Sequence, residues 1–218
     1  RYWSDTRVKK ELIIIGAGGY AKSVLDSFDP QQYDFKGFLD ERPDKEEHFG
    51  YPVLAHSLED ILHPENFSFF VAIGSDPKRK IWFDRLNEIG ADFASVWDSS
   101  AIVSPLAKVG KGCFIGKMAI VNAGVEIGDN VVINTMALVE HGSSVENHAN
   151  ISTKAVLNGD VLIGEGTFVG SGSVVIGQLS VGSWSIVGAG AVVTKDVESG
   201  VTVAGVPARV VRREARFW

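Results

Sequence analysis

The chain has little of several things that would steer its chemistry. Among 218 residues there is one cysteine, Cys113, so no internal disulfide and no multi-cysteine zinc site can form. Histidine is scarce, at five. Positive charge is in deficit: 21 Lys and Arg stand against 27 Asp and Glu, for a net charge of −6. That balance argues against a basic face for nucleic acid. No apolar run approaches the roughly 18–20 residues that span a bilayer, and the start lacks the apolar core of a signal peptide. With 45% hydrophobic and 22% charged residues, the composition is that of a globular protein, and a cytoplasmic location is expected.

What the chain has in abundance is period. From Val103 to Val193 every sixth residue is Val, Ile or Leu, sixteen positions in unbroken register, including Val121, Ile133, Val139, Leu157 and Val175. Six matches neither the 3.6-residue helix nor the two-residue alternation of a strand. It predicts a solenoid in which each hexapeptide makes one short strand and one turn, and three hexapeptides close a triangular coil around stacked aliphatics. Glycine often follows the aliphatic, as in Ile127-Gly128, Ile163-Gly164 and Val181-Gly182, and is expected to relax the backbone at the corners. The fold class is therefore an all-β left-handed parallel β-helix over 99–205, preceded by an α/β domain over 1–98 and followed by a tail over 206–218.

The first domain reads as a half-Rossmann βαβ unit. Leu12-Ile13-Ile14-Ile15 runs into Gly16-Ala17-Gly18-Gly19-Tyr20-Ala21, an amphipathic segment follows, and a second apolar run over 35–39 ends at Asp40. Glycines in such a turn let the backbone approach a pyrophosphate, and Asp40 is placed to accept hydrogen bonds from a ribose or base. A further strand ends at Gly74-Ser75. Fewer than about 100 residues precede the solenoid, too few for the double-wound domain of a dinucleotide-dependent dehydrogenase. The bland alternative is tight strand–helix packing without a ligand.

Taken in order, these motifs resemble the nucleotide-sugar acetyltransferases of the hexapeptide-repeat superfamily, similar to the bacillosamine-pathway and perosamine N-acetyltransferases and the sialic acid O-acetyltransferase group. The matching residues are Gly16-Ala17-Gly18-Gly19-Tyr20-Ala21, Gly37-Phe38-Leu39-Asp40-Glu41, Ala72-Ile73-Gly74, Asn134-Thr135, Glu140-His141 and Gly205-Val206-Pro207-Ala208. The resemblance implies a homotrimer using acetyl-CoA, with no metal, to acetylate the amino group of a nucleotide-linked amino sugar, a 4-amino-4,6-dideoxyhexose. It implies that Gly18, Gly19 and Tyr20 hold the diphosphate and Asp40 the base, with Gly74 and Ser75 nearby. His141 would be the general base and Asn134 would lie near the sugar. Gly159 would offer an N–H to the thioester carbonyl, and Gly172, Ala189 and Pro207 would line the coenzyme A groove. Histidine suits the base role because its ordinary pKa of about 6.5 leaves it largely neutral at pH 7.

The chain departs from the family at two places. An acid usually follows the catalytic histidine, where this chain has Gly142; Glu140 precedes it, but adjacent strand residues face opposite ways. A second family histidine is here Asn150, able to donate a hydrogen bond to the acetyl carbonyl but unable to carry a proton. These departures keep open a sugar or sialic acid O-acetyltransferase, and a non-catalytic nucleotide-sugar-binding scaffold. The hexapeptide repeat also occurs in some carbonic anhydrases, but the solenoid holds only His141 and His148 as histidine ligands, too few for that zinc site. His148 reads as surface or interface; His48, His56 and His63 read as solvated. Trp184 is either a stacking surface for adenine or a packing contact between subunits. The basic ending from Arg209 onward reads as a short helix or tail beside the coenzyme A phosphates, or as an ordinary terminus.

Overall fold

The computed structural model describes residues 9–42 and 44–214. The first domain is built from strand β1 (Lys10–Ile15), helix α1 (Gly19–Leu25), β2 (Tyr33–Leu39), β3 (Glu47–His48), β4 (Tyr51–Ala55), β5 (Phe67–Val71), helix α2 (Asp76–Glu88) and β6 (Asp92–Phe93). These strands form one sheet in the order β3-β4-β2-β1-β5-β6, parallel except for the β3–β4 pair. Central β1 is a continuous apolar run because both its faces are covered. Leu12 and Ile14 pack with Ala21, Val24 and Phe38, whereas Ile13 and Ile15 pack with Trp82 and Leu86.

At Val96 the chain enters the β-helix, three residues before the expected start at 99, because Val96 and Trp97 already pair with Phe114 and Ile115. Two-residue strands then recur every six residues, and as far as Val174 each pairs in parallel with the strand eighteen residues on, the spacing shortening to sixteen in the last coil. One such series runs Phe114↔Val132↔Asn150↔Phe168↔Ile186. Among the described residues the coil has a first face of eight strands, a second of six and a third of five. The periodic aliphatics from Ile115 to Val193 are buried, and a second buried position falls two residues before each, filled by Cys113, Ala119, Val125, Val131, Ala137, Ser143 and their successors. Buried hydroxyls in this stack are satisfied: Ser143 Oγ donates to Asn158 O and accepts from Val161 N–H.

The corners correct one expectation. Left-handed φ recurs every sixth residue from Gly112 to Gly190, and most of those positions are not glycine: Met118, Asn130, Met136, His148, Lys154, Asp160, Gln178 and Trp184 all adopt it. The glycines directly after the aliphatics serve another purpose. A Cβ on Gly128 would land on Asn147 Oδ1, and one on Gly164 would lie 2.5 Å from Ser183 N. They are glycine because the next coil passes too close for a side chain, not because of φ.

Each face meets its surroundings differently. The first face is covered by the N-terminal domain, with Phe114 and Val132 joining Leu12, Tyr33 and Phe70 in one apolar cluster. The second face presents Ile102, Ile120, Leu138, Val156, Val174 and Val192 outward, Ile102 exposed and the others half-buried. The third presents Lys108, Glu126, Ser144, Leu162 and Ser180. Beyond 205 the chain makes a strand rather than a helix: Arg209–Arg212 pairs antiparallel with Thr202–Ala204. The two terminal aromatics lie outside the described residues.

Candidate functional site

The carboxyl ends of β1, β2 and β5 and their following loops enclose a cleft of about 450 Å³, where parallel sheets hold ligands. Gly18, Gly19, Asp40, Arg42, Gly74 and Lys78 line it. Ser75, the N-cap residue of α2, sits one residue beyond.

Asp40 does not have the role expected of it. Its Oδ2 accepts from Ala17 N–H at 2.7 Å and from Arg42 Nη2 at 2.8 Å, while Oδ1 accepts from Arg42 Nε at 2.7 Å and Arg42 N–H at 3.2 Å. Burial alone would raise this carboxyl, but the hydrogen bonds from Arg42 and Ala17 outweigh it and hold the group well below the usual carboxylate range. With its lone pairs filled, Asp40 cannot read a base. It pins Arg42 over the Gly-rich loop, where Arg42 Nη2 also donates to Ala17 O at 3.0 Å and Lys45 Nζ donates to the same carbonyl. The cations at the cleft are therefore Arg42 and Lys78, which line it together with Asp40 and Glu41, and Lys45, bonded to the Ala17 carbonyl; the sequence points to none of these three. Nor are two of the histidines solvated: His48 Nε2 meets Gly18 O at 3.1 Å and His56 Nδ1 meets Asp40 O at 2.8 Å.

Tyr20 is also corrected. Its ring packs edge-on against Phe114 and Phe70, at 5.5 and 6.3 Å between centroids. Its hydroxyl is buried without a hydrogen-bond partner among the described residues, and burial pushes the phenol up. Such a hydroxyl is not a ligand for a diphosphate; Tyr20 lines the cleft beside Gly18 and Gly19, while its ring joins the loop to the coil by packing.

On the β-helix, His141 stands exposed at the corner between the second and third faces. Its ring lies over Gly159, one coil on: a Cβ there would be 2.6 Å from Cε1 and 2.8 Å from Nε2. Among the described residues no acceptor takes the Gly159 N–H, whereas its carbonyl accepts from Gln178 N–H at 3.0 Å. Glu140 turns its Oε2 to the backbone N–H of His141, at 3.3 Å, and not to the ring. Gly142 is in left-handed φ, which disfavours an acid there, and the Asp160 side chain stands where its Cβ would be.

The remaining expected residues lie elsewhere. Asn134, Gly172 and Ala189 mark the corner between the first and second faces, and Pro207 follows the last coil. Asn134 Oδ1 accepts from Thr135 N–H at 2.7 Å. One chain therefore does not bring these residues to His141; the second face separates the two corners. Asn150 points outward on the first face and is buried under the N-terminal domain, where its Nδ2 donates to Asp76 Oδ1 at 3.1 Å, so it cannot touch an acyl group. His148 is buried beside it, its Nδ1 2.9 Å from Asn130 Nδ2. Trp184 covers Gly166 within its own chain. Cys113 is fully buried, and burial pushes its thiol up to about 12, which removes it as a nucleophile. Among the described residues no cluster of three or more His, Cys, Asp or Glu could hold a metal, and no helix is long and apolar enough to cross a membrane.

Comparison with known proteins extends over the whole architecture. The PglD N-terminal domain family matches residues 11–86, and the bacterial transferase hexapeptide (six repeats) family matches 107–141 and 160–195. The acetyltransferase domain of PglB from Neisseria gonorrhoeae FA1090 is 34% identical, with a TM-score of 0.87 over 93% of this chain and 100% of that one; it has also been solved in complex with acetyl coenzyme A. A variant of the perosamine N-acetyltransferase from Caulobacter crescentus, in complex with CoA and GDP-perosamine, is 32% identical, with a TM-score of 0.87 over 92% of this chain and 96% of that one. A curated relative, the uncharacterized protein L142 of Acanthamoeba polyphaga mimivirus, is 26% identical over 113 residues; the chain spans 22% of its length.

Proposed function

The chain belongs to the hexapeptide-repeat nucleotide-sugar acetyltransferases, and from that premise we propose that it moves the acetyl group of acetyl-CoA to the amino group of a nucleotide-linked 4-amino-4,6-dideoxyhexose. The observation that carries the reading is His141 lying over Gly159, beside a backbone N–H that has no other acceptor among the described residues. The amine nitrogen attacks the thioester carbonyl carbon as an imidazole nitrogen of His141 takes its proton. The Gly159 N–H stabilises the negative charge on the carbonyl oxygen. Collapse of the tetrahedral adduct breaks the carbon–sulfur bond, and coenzyme A leaves as a thiolate that regains a proton. No covalent intermediate forms on the protein.

Arg42, Lys45 and Lys78 would neutralise the diphosphate of the acceptor in the cleft, and Gly172, Ala189 and Pro207 would line the coenzyme A groove. Those residues lie across the second face from His141, so a complete site requires a neighbouring copy. A homotrimer brings such edges together, and the row of outward aliphatics on the second face, half-buried in one chain, supports it.

Thiol release from acetyl-CoA should be measured against UDP- and GDP-linked 4-amino sugars and their hydroxyl counterparts. Turnover on an amine, lost in His141→Ala, is the expected result. Turnover on the hydroxyl counterparts alone would replace the proposal with O-acetylation. No turnover on either, with coenzyme A and nucleotide still bound, would leave a scaffold.

A further inference from the structure

Between the two domains lies a charged cluster that the proposed mechanism does not use. Arg79 on α2 is 1% exposed and pairs with Asp76, 3% exposed, in the first turn of the same helix. Its Nη2 donates to His148 O at 2.6 Å and its Nε to Asn130 O at 3.4 Å. Both carbonyls belong to corner residues of successive coils. Asn150 closes the cluster through Asp76 Oδ1, and Asn130 and His148 are bonded to each other.

Stability is a poor reason for such a cluster. A buried ion pair loses so much by desolvation that a well-packed apolar substitute is often as stable or more stable. This one is also incompletely satisfied, since Asn150 Oδ1 and the nearby Tyr20 hydroxyl are buried without partners among the described residues. What the cluster fixes is position. The guanidinium fork seats on two carbonyls one coil apart, a register that apolar packing does not specify. Gly74 and Lys78, which line the cleft, flank Asp76 in sequence, and Tyr20 ties the Gly-rich loop to the same seam.

We propose that Arg79, with Asp76, is a positioning residue that locks the nucleotide-binding cleft in register with the β-helix, so that an acceptor held in the cleft presents its amine correctly to the transfer site. This rests on the proposed function. A displacement of about 1 Å in such an arrangement costs on the order of a hundredfold in rate without touching a reacting group.

The test pairs kinetics with a distance that needs no turnover. Cysteines introduced at Glu88, at the end of α2, and at Glu198, on the coil, accept spin labels, whereas Cys113 is buried and does not. Labelled chains are diluted into unlabelled protein, and the distance is read by pulsed electron resonance. The double variant Asp76→Leu, Arg79→Met removes the charges together; Arg79→Lys keeps a charge opposite Asp76 but loses the fork, and serves if the double variant does not fold. Expected are one narrow distance in the parent and a broadened one in the variants. In the kinetics, kcat should drop about tenfold or more while the Kd for UDP or GDP stays within about twofold. A variant that folds and keeps the narrow distance overturns the proposal, as does an unchanged kcat. If the parent itself shows no turnover, the proposed function fails, and the distance still decides the role of Arg79.

Discussion

The imidazole of His141 and the backbone of Gly159 share one corner of the β-helix, so closely that a Cβ on residue 159 would lie 2.6 to 3.2 Å from three ring atoms. The glycine is needed by the histidine and not by the chain, because its φ is outside the left-handed region. Gly159→Ala should therefore fold with little loss of stability but push the ring aside. A fall in kcat of about a hundredfold is expected, with Tm within a few degrees of the parent. A variant that keeps its rate would show that the ring position over residue 159 is immaterial.

At the cleft, Arg42 and Asp40 act as a unit. Arg42→Ala should weaken binding of UDP and GDP alike, by about tenfold, because a charge is lost and not a base contact. Asp40→Asn should weaken it too, by releasing Arg42. The carboxyl of Asp40 titrates below its unfolded value, so its contribution to stability is complete above about pH 4 and fades as pH falls further. Calorimetric titration with both nucleotides checks the first point; discrimination between them in Asp40→Asn alone would revive Asp40 as a base reader.

Cys113 offers a simple control on the chemistry. Its thiol sits in the interior stack at 0% exposure, so a thiol reagent should leave the folded protein untouched and label one site per chain in denaturant. Cys113→Ala should retain full kcat.

The β-helix was legible because its period is a covalent property of the chain: a buried aliphatic every six residues leaves few other ways to bury them all. The cleft was legible as a Gly-rich turn after an apolar run. Its working charges were not, because Arg42 and Lys45, on the loop after β2, meet Lys78, on α2, only in the folded sheet. Asp40 misled because its spacing suits a ribose or base acceptor, while the residue that fills its lone pairs lies only two positions on. Gly142 looked like a lost acid in the sequence; the structure shows a corner already occupied by Asp160 from the next coil. Asn150 was misplaced for a similar reason. Nine residues after His141 in sequence is a different face in a coil of eighteen.

His148 gives the prediction with the clearest sign. Burial lowers its pKa to about 4, with Lys80 and Arg79 adding to the effect and Asp84 and Asp129 opposing it. Its Nδ1 is positioned to accept from Asn130 Nδ2, which requires the neutral ring. The unfolded chain binds this proton near pH 6.5 and the folded chain only near pH 4, so stability is complete above 6.5 and declines as pH falls between those values. Urea unfolding at pH 7, 5.5 and 4.5 should show this decline in the parent. His148→Gln keeps a neutral polar side chain in the seam and should flatten it, and equal slopes in the two proteins would assign the decline to other groups.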